Sequence, residues 1–200
     1  MILSENPLAR NGEVAVLEVE VKFAVADFAP IEAALAARNV KINAPRRDAD
    51  HYFNAPDRDF AQTDEALRVR SIGDRNYVTY KGPKLDRITK TRLEIEVPLA
   101  DGEAVAADFR RLLTHLGYRP VAVVTKTRRV AEFTRDSFDM QLTLDEVDDV
   151  GRYAEVEVVA PEDQAGAAKA AVLAAATELG LTQSERRSYL QLLLEKQAKT

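Results

Sequence analysis

Two carboxylates and an ammonium fall on one face of the run Glu18-Val-Glu20-Val-Lys22, and the same acid spacing returns in Glu94-Ile-Glu96 and Glu155-Val-Glu157. Basic side chains are spaced alike in Arg68-Val-Arg70 and Lys126-Thr-Arg128, with Lys81, Arg92 and Asp145 in further alternating runs. Alternation at a period of two is the mark of a strand, so these groups share one face while Val, Leu, Ile and Phe take the other. Carboxylates are ligands for hard divalent cations, and guanidinium groups offer paired donors that match phosphate oxygens. A face carrying both signs suits a polyphosphate bound with metal. An antiparallel sheet with one wet face gives the same alternation through cross-strand ion pairs, and periodicity alone favours that plainer reading.

The elements that must hold this face shift the balance. Strands are expected over Val16 to Phe23, Leu67 to Ser71, Tyr77 to Lys81, Leu93 to Val97, Val123 to Ala131, Phe138 to Glu146 and Glu155 to Val158, with a turn at Gly73-Asp74 and about eight strands in all. Helices are expected from Asp27 or Pro30 to Arg38, around Val105 to Leu116 with Gly117 as its stop, from about Asp163 to Leu179 closed by Gly180, and from Glu185 to Lys196. Each acid–x–acid strand leads into one of the first three helices at unequal spacing, which reads as internal pseudo-symmetry. Helices this apolar need the hydrophobic side of the sheet, leaving a charged side that must curve or close. About eight strands suffice to close a barrel, which turns that side into a channel lining.

Composition narrows the chemistry. The chain has 200 residues, 28 basic and 33 acidic, with a net charge of -5, which argues against a general nucleic-acid binder. With no cysteine and two histidines, any metal is held mainly by oxygen. Neither a signal peptide nor a membrane-length apolar run is evident, so a cytoplasmic protein without a membrane partner is expected.

Beyond single runs, the sequence resembles a known family. Glu18-Val-Glu20-Val-Lys22 is similar to the ExExK signature of the CYTH superfamily of class IV adenylyl cyclases and thiamine triphosphatases. The likeness extends through Asp50-His-Tyr-Phe, Asp64-Glu-Ala-Leu-Arg68-Val-Arg70, Tyr80-Lys81-Gly-Pro, Arg92-Leu-Glu94-Ile-Glu96, Lys126-Thr-Arg128, Leu144-Asp145 and Gly151-Arg-Tyr-Ala-Glu155-Val-Glu157. It implies an α+β fold, a closed eight-stranded antiparallel β-barrel called the triphosphate tunnel with helices packed outside, over residues 14–197 after an N-terminal extension of residues 1–13.

The resemblance puts Glu18, Glu20, Asp145, Glu155 and Glu157 at Mg²⁺ or Mn²⁺, with Glu94 and Glu96 as acidic partners. It puts Lys22, Arg68, Arg70, Lys81, Lys126 and Arg128 on phosphate oxygens. Arg92, at a strand entrance, is a weaker carry-over, and Arg187 either closes the tunnel mouth or caps the last helix. The implied substrate is a nucleoside or inorganic triphosphate, and a homodimer stays open. Local texture, from Ala55-Pro-Asp-Arg-Asp-Phe-Ala61 to Arg187-Ser-Tyr189, leans toward adenylyl cyclase, ATP to cyclic AMP and pyrophosphate. Inorganic or thiamine triphosphatase is the alternative, and a non-catalytic polyphosphate or nucleotide-binding module ranks lowest. His51 and His115 read as structural, and Lys84 and Lys90 as loop lysines within reach of a nucleotide.

Overall fold

The computed structural model describes residues 16–85 and 88–199, so the 1–13 extension lies outside the described residues. Eight strands close on themselves: β1 (Val16–Ala24), β2 (Arg46–Asn54), β3 (Ala66–Ile72), β4 (Arg75–Lys81), β5 (Arg92–Leu99), β6 (Arg119–Arg135), β7 (Phe138–Val147) and β8 (Gly151–Pro161). Every neighbouring pair is antiparallel, in the order β1-β5-β4-β3-β2-β6-β7-β8. Among the described residues five α-helices accompany the barrel: α1 (Ala29–Ala36), α2 (Phe60–Thr63), α3 (Glu103–His115), α4 (Ala165–Glu178) and α5 (Tyr189–Gln197). The expected closed barrel with helices outside is the observed fold.

The outward apolar residues make the main core. Val19, Val21 and Phe23 of β1 join Leu142 and Leu144 of β7 and Val156 and Val158 of β8 beneath α1 and α4. The stripe of α4 that meets them, Ala168, Ala171, Val172, Ala175 and Ala176, recurs at helical spacing, and its small side chains let the helix lie close to the sheet. Burying each large aliphatic contributes about 1.5–3 kcal/mol, so this layer pins the outward parity of β1, β7 and β8. Parity then forces the alternate residues, the charged ones, inward. On the opposite flank α3 sets Leu113 against Phe53 and Val69.

Several boundaries differ from expectation, β8 among them, which runs from Gly151 to Pro161 rather than only from Glu155 to Val158. Strand β2 is absent from the expected strands, hidden because Arg47 and His51 on its outward face are polar too. The last helix starts at Tyr189, where Ser188 accepts from Gln191 N–H and the Gln191 side chain returns the bond, a capping box. The residues before it run along β1 instead, with Glu185 N–H donating to the Lys22 carbonyl at 2.6 Å and Ser184 bridging Phe23. Strand β6 is longer than expected, pairing with β2 at one end and β7 at the other. No helix among the described residues is long and apolar enough to cross a membrane.

Candidate triphosphate site

The cross-strand register decides which groups meet. Around the barrel it sets Glu20 opposite Glu157, Lys22 opposite Glu155, Glu18 opposite Arg92, Lys81 opposite Glu94, Thr79 opposite Glu96, Asp50 opposite Arg70, and Arg128 opposite Asp145. Directly opposed residues share a face, so all the charged strand residues singled out in the sequence point into the barrel. Together they surround a cavity of about 610 Å³ lined by Glu18, Glu20, Lys22, Arg68, Arg70, Lys81, Arg92, Glu94, Glu96, Lys126, Arg128, Glu155 and Glu157. Asp145 lies beneath this lining, fully buried.

Among the acids the structure separates two groups. Glu18, Glu20 and Glu157 each offer an oxygen within 4.8 Å of the others, an arrangement able to hold a cation. Asp145 and Glu155 instead accept from Arg128, at 2.5–2.7 Å for Asp145 and 2.7 Å for Glu155. Tyr189, the first residue of α5, donates its hydroxyl to Asp145 at 2.9 Å. Glu94 pairs with Lys81, and Glu96 accepts from Thr79 at 2.9 Å.

Electrostatics at the three-carboxylate cluster show a charge deficit. Burial pushes Glu157 up to about 8, helped by the negative charges of Glu18, Glu20 and Glu155. Burial also raises Glu18 against the pull of Lys81, with Glu94 adding to the rise. At Glu20 burial opposes ionisation as well, yet Lys90, donating to it at 2.5 Å, wins and holds it at about 2. Glu157 has no ion-pair partner among the described residues and accepts only from Gln141. An all-oxygen donor set this crowded and this poorly neutralised fits a hard divalent cation.

The basic groups divide in the same way. Asp50, 1% exposed, is a hub that accepts two bonds from Arg70 at 2.6 and 2.8 Å, one from Lys126 at 3.2 Å and one from Arg68 at 3.5 Å. Burial works against its ionisation, but the Arg70, Lys126 and Arg68 charges hold its carboxyl well below the usual range. Lys22 has no carboxylate at contact distance among the described residues: it donates to the Arg187 carbonyl and lies 4.1 Å from the Tyr189 ring centre and 5.5 Å from that of Tyr153. Burial and the neighbouring Lys90 push it down to about 7. Arg92 stands apart, 8% exposed, with its Nε unpartnered and no carboxylate paired to it among the described residues. A buried guanidinium in that state lacks an anion.

Arg187 stays outside, its guanidinium bonded to Glu185 and Glu195 on the surface while its carbonyl anchors Lys22. Lys84 is held by Asp64 at the cavity edge, and His51 and His115 face away from the lining. Asp50 has no role in the sequence reading, and Lys90 has only that of a loop lysine within reach of a nucleotide. Asp50 stood in a quoted motif, and the alternation Arg46, Asp48, Asp50, Tyr52 could have shown it facing inward. Lys90 precedes its strand and carries no periodic signal; it enters the barrel because its backbone N–H donates to the Glu20 carbonyl at 2.8 Å.

Comparisons with known proteins agree with this architecture. A candidate adenylate cyclase of Methanocaldococcus jannaschii is 37% identical over 70% of this chain and 76% of its own. The PH1819 protein of Pyrococcus horikoshii superposes with a TM-score of 0.77 at 36% identity, over 90% of this chain and 99% of that one. A Hippeastrum protein described as a candidate adenylyl cyclase with a dominant triphosphatase activity shares the fold at a TM-score of 0.63 and 16% identity, over 90% of this chain and 95% of that one. The CYTH domain description matches residues 17–189, and with the inward-facing acid and base clusters this places the chain in the CYTH family.

Proposed function

We propose that the protein is a metal-dependent enzyme of triphosphate chemistry and that its reaction is the cyclisation of ATP to cyclic AMP and pyrophosphate. One observation carries the reading: a single cavity holds a carboxylate cluster short of positive charge and a buried guanidinium, Arg92, short of negative charge. A cation bound with a polyphosphate answers both deficits at once. Most other cations of the lining are already matched by Asp50, Glu94, Asp145 or Glu155, so a bare polyanion would unbalance the lumen.

Glu18, Glu20 and Glu157 would hold the cation, which would neutralise phosphate oxygens and draw electron density from the attacked phosphorus. Arg92, Arg68, Lys81 and Lys126 bind the remaining phosphate oxygens, and the pairs with Asp50 and Glu94 fix the last three side chains before substrate arrives. Such fixed donors supply positioning and charge stabilisation, which is most of what phosphoryl transfer asks of a protein. In the cyclase reaction the ribose 3′-hydroxyl loses its proton to water as its oxygen bonds to the α-phosphorus, the bond from that phosphorus to the bridging oxygen breaks, and pyrophosphate leaves. Support for the nucleotide over the inorganic chain comes from the name of the 37% identical relative and from apolar space beside the charged lumen.

The test is product analysis after incubation with ATP, inorganic triphosphate or thiamine triphosphate, each with Mg²⁺ or Mn²⁺. Cyclic AMP with pyrophosphate is expected. Orthophosphate without a cyclic product would replace the cyclase with a triphosphatase, and no turnover at all would leave a binding module.

A further inference from the structure

Arg68, Arg70, Lys81, Lys126 and Arg128 of the cavity lining each reach a carboxylate. Lys22 is held by uncharged groups instead. Its ammonium donates to the Arg187 carbonyl and lies 4.1 Å from the centre of the Tyr189 ring, with the Tyr153 ring 5.5 Å away. A ring face attracts a desolvated cation through its quadrupole and leaves the net charge in place. A carboxylate would fix the ammonium as well, but would leave less positive charge for a phosphate oxygen.

Tyr189 has a second hold on the site. Its hydroxyl donates to Asp145 at 2.9 Å, and Asp145, fully buried, accepts from Arg128 Nε at 2.7 Å. The carboxylate that orients Arg128 is thus itself oriented by Tyr189. The Tyr189 ring stands edge-on to Tyr153, with 5.2 Å between centroids and 61° between planes, which restricts its rotation. One side chain therefore meets two lining cations from different strands, Lys22 of β1 through its ring and Arg128 of β6 through Asp145.

Resting on the triphosphate reading above, we propose that Tyr189 is a positioning residue for the phosphate chain: its ring seats the Lys22 ammonium, and its hydroxyl acts through Asp145 on the Arg128 guanidinium. The main chain fixes where Tyr189 stands. Ser184 bridges Phe23 and Glu185 N–H donates to the Lys22 carbonyl at 2.6 Å, so this segment lies against the part of β1 that carries Lys22. The capping box of Ser188 and Gln191 then starts α5 at Tyr189, and the ring enters the lining. Leu193, one turn on, is buried in the same apolar cluster with Tyr52, Val124, Val147 and Tyr153, but is not among the lining residues. It shares the packing of α5 without touching Lys22 or Asp145, which makes it the control for packing alone.

Calorimetric titration with inorganic triphosphate and Mg²⁺, alongside urea unfolding of each variant, tests the assignment. Tyr189→Leu should weaken binding about tenfold or more, because it removes both the ring and the hydroxyl. Tyr189→Phe keeps the ring and should recover a clear part of that loss. In a Lys22→Met background the difference between Tyr189→Phe and Tyr189→Leu should vanish, because no ammonium remains for the ring to hold. The residual cost of Tyr189→Phe should vanish likewise in an Arg128→Met background. Leu193→Ala should lower the urea midpoint while triphosphate affinity holds. Where Tyr189→Leu does not fold, Tyr189→Met carries the same comparison. Equal losses in Tyr189→Phe and Tyr189→Leu would overturn the positioning role, and so would a difference between them that persists without Lys22. A loss in Leu193→Ala as large as that in Tyr189→Leu would reduce Tyr189 to packing. In each of these cases the triphosphate reading stands, whereas a wild type that binds no triphosphate would remove both.

Discussion

Replacing Arg92 by methionine should move stability and binding in opposite directions. In the empty protein Arg92 is a buried cation whose Nε has no acceptor, and an unsatisfied buried polar group costs about 1–3 kcal/mol. Methionine fills similar volume without that donor, so the ligand-free fold should gain stability of that order, or about 2–12 °C in melting temperature at about 2–4 °C per kcal/mol. Triphosphate affinity should fall by a factor of about 10 to 100, the worth of a charge-assisted hydrogen bond at about 1.5–3 kcal/mol. Thermal melts with and without inorganic triphosphate and Mg²⁺ read both quantities in one experiment, because ligand raises the melting temperature according to its affinity. A residue that merely supports the barrel would melt earlier when replaced. Destabilisation of the ligand-free variant, or a ligand-induced shift equal to that of the wild type, would refute the assignment of Arg92 as an anion's waiting partner.

Other perturbations test the remaining groups. Glu20→Gln and Glu157→Gln should each abolish Mg²⁺-dependent turnover with the circular dichroism spectrum preserved; full activity in either would take that carboxylate out of the metal cluster. Arg68→Ala should weaken triphosphate binding several-fold or more, read by calorimetry, and an unchanged affinity would place Arg68 outside the phosphate path. Asp50→Asn should destabilise the ligand-free protein by about 3–5 kcal/mol in urea unfolding, because it strands three buried cations. Added triphosphate should recover part of that loss; a neutral effect would mean that the hub is relaxed by water. The raised Glu157 carboxyl holds a proton in the folded state that the unfolded chain releases near the ordinary carboxylate range. Its contribution to stability is therefore complete at low pH and is lost as pH rises toward about 8. Without metal, stability should fall between about pH 5 and 7, below the range where the depressed Lys22 begins to contribute, and Glu157→Gln should flatten that slope.

Much of the barrel could be read from β1, β5 and β8, because the middle of each has a charged face and an apolar one, and parity alone orients both. The closure itself could not be read that way, since a flat sheet gives the same alternation; the apolar helices and the strand number were the signals for it. β2 escaped because its outward face is also polar, and Asp50 escaped with it. The division of the acids was equally hidden. Glu155 and Glu157 have the same neighbours in sequence, yet the stagger between β1 and β8 sends one to Arg128 and the other to Glu18 and Glu20. Lys90 and Arg92 lie at a strand entrance, where period-two reasoning has too few residues to work on. Their roles depend on the narrow β1–β5 seam, which is paired only at Leu17 with Leu93 and at Glu18 with Arg92.

The pairing of β1 with β8 joins strands far apart in sequence, and it has a consequence for how the barrel forms. Glu18 and Glu20 are synthesised well before Glu157 and the α5 residues that close one end of the barrel. Such distant pairing pays the entropy of closing a long loop before any contact repays it, so folding belongs to the slow, high-contact-order class. Until β8 docks, β1 lacks its longest partner and its acids lack their third member. A ribosome-bound chain stopped before β8 therefore lacks the three-carboxylate cluster, which assembles only as the last strand completes the cylinder.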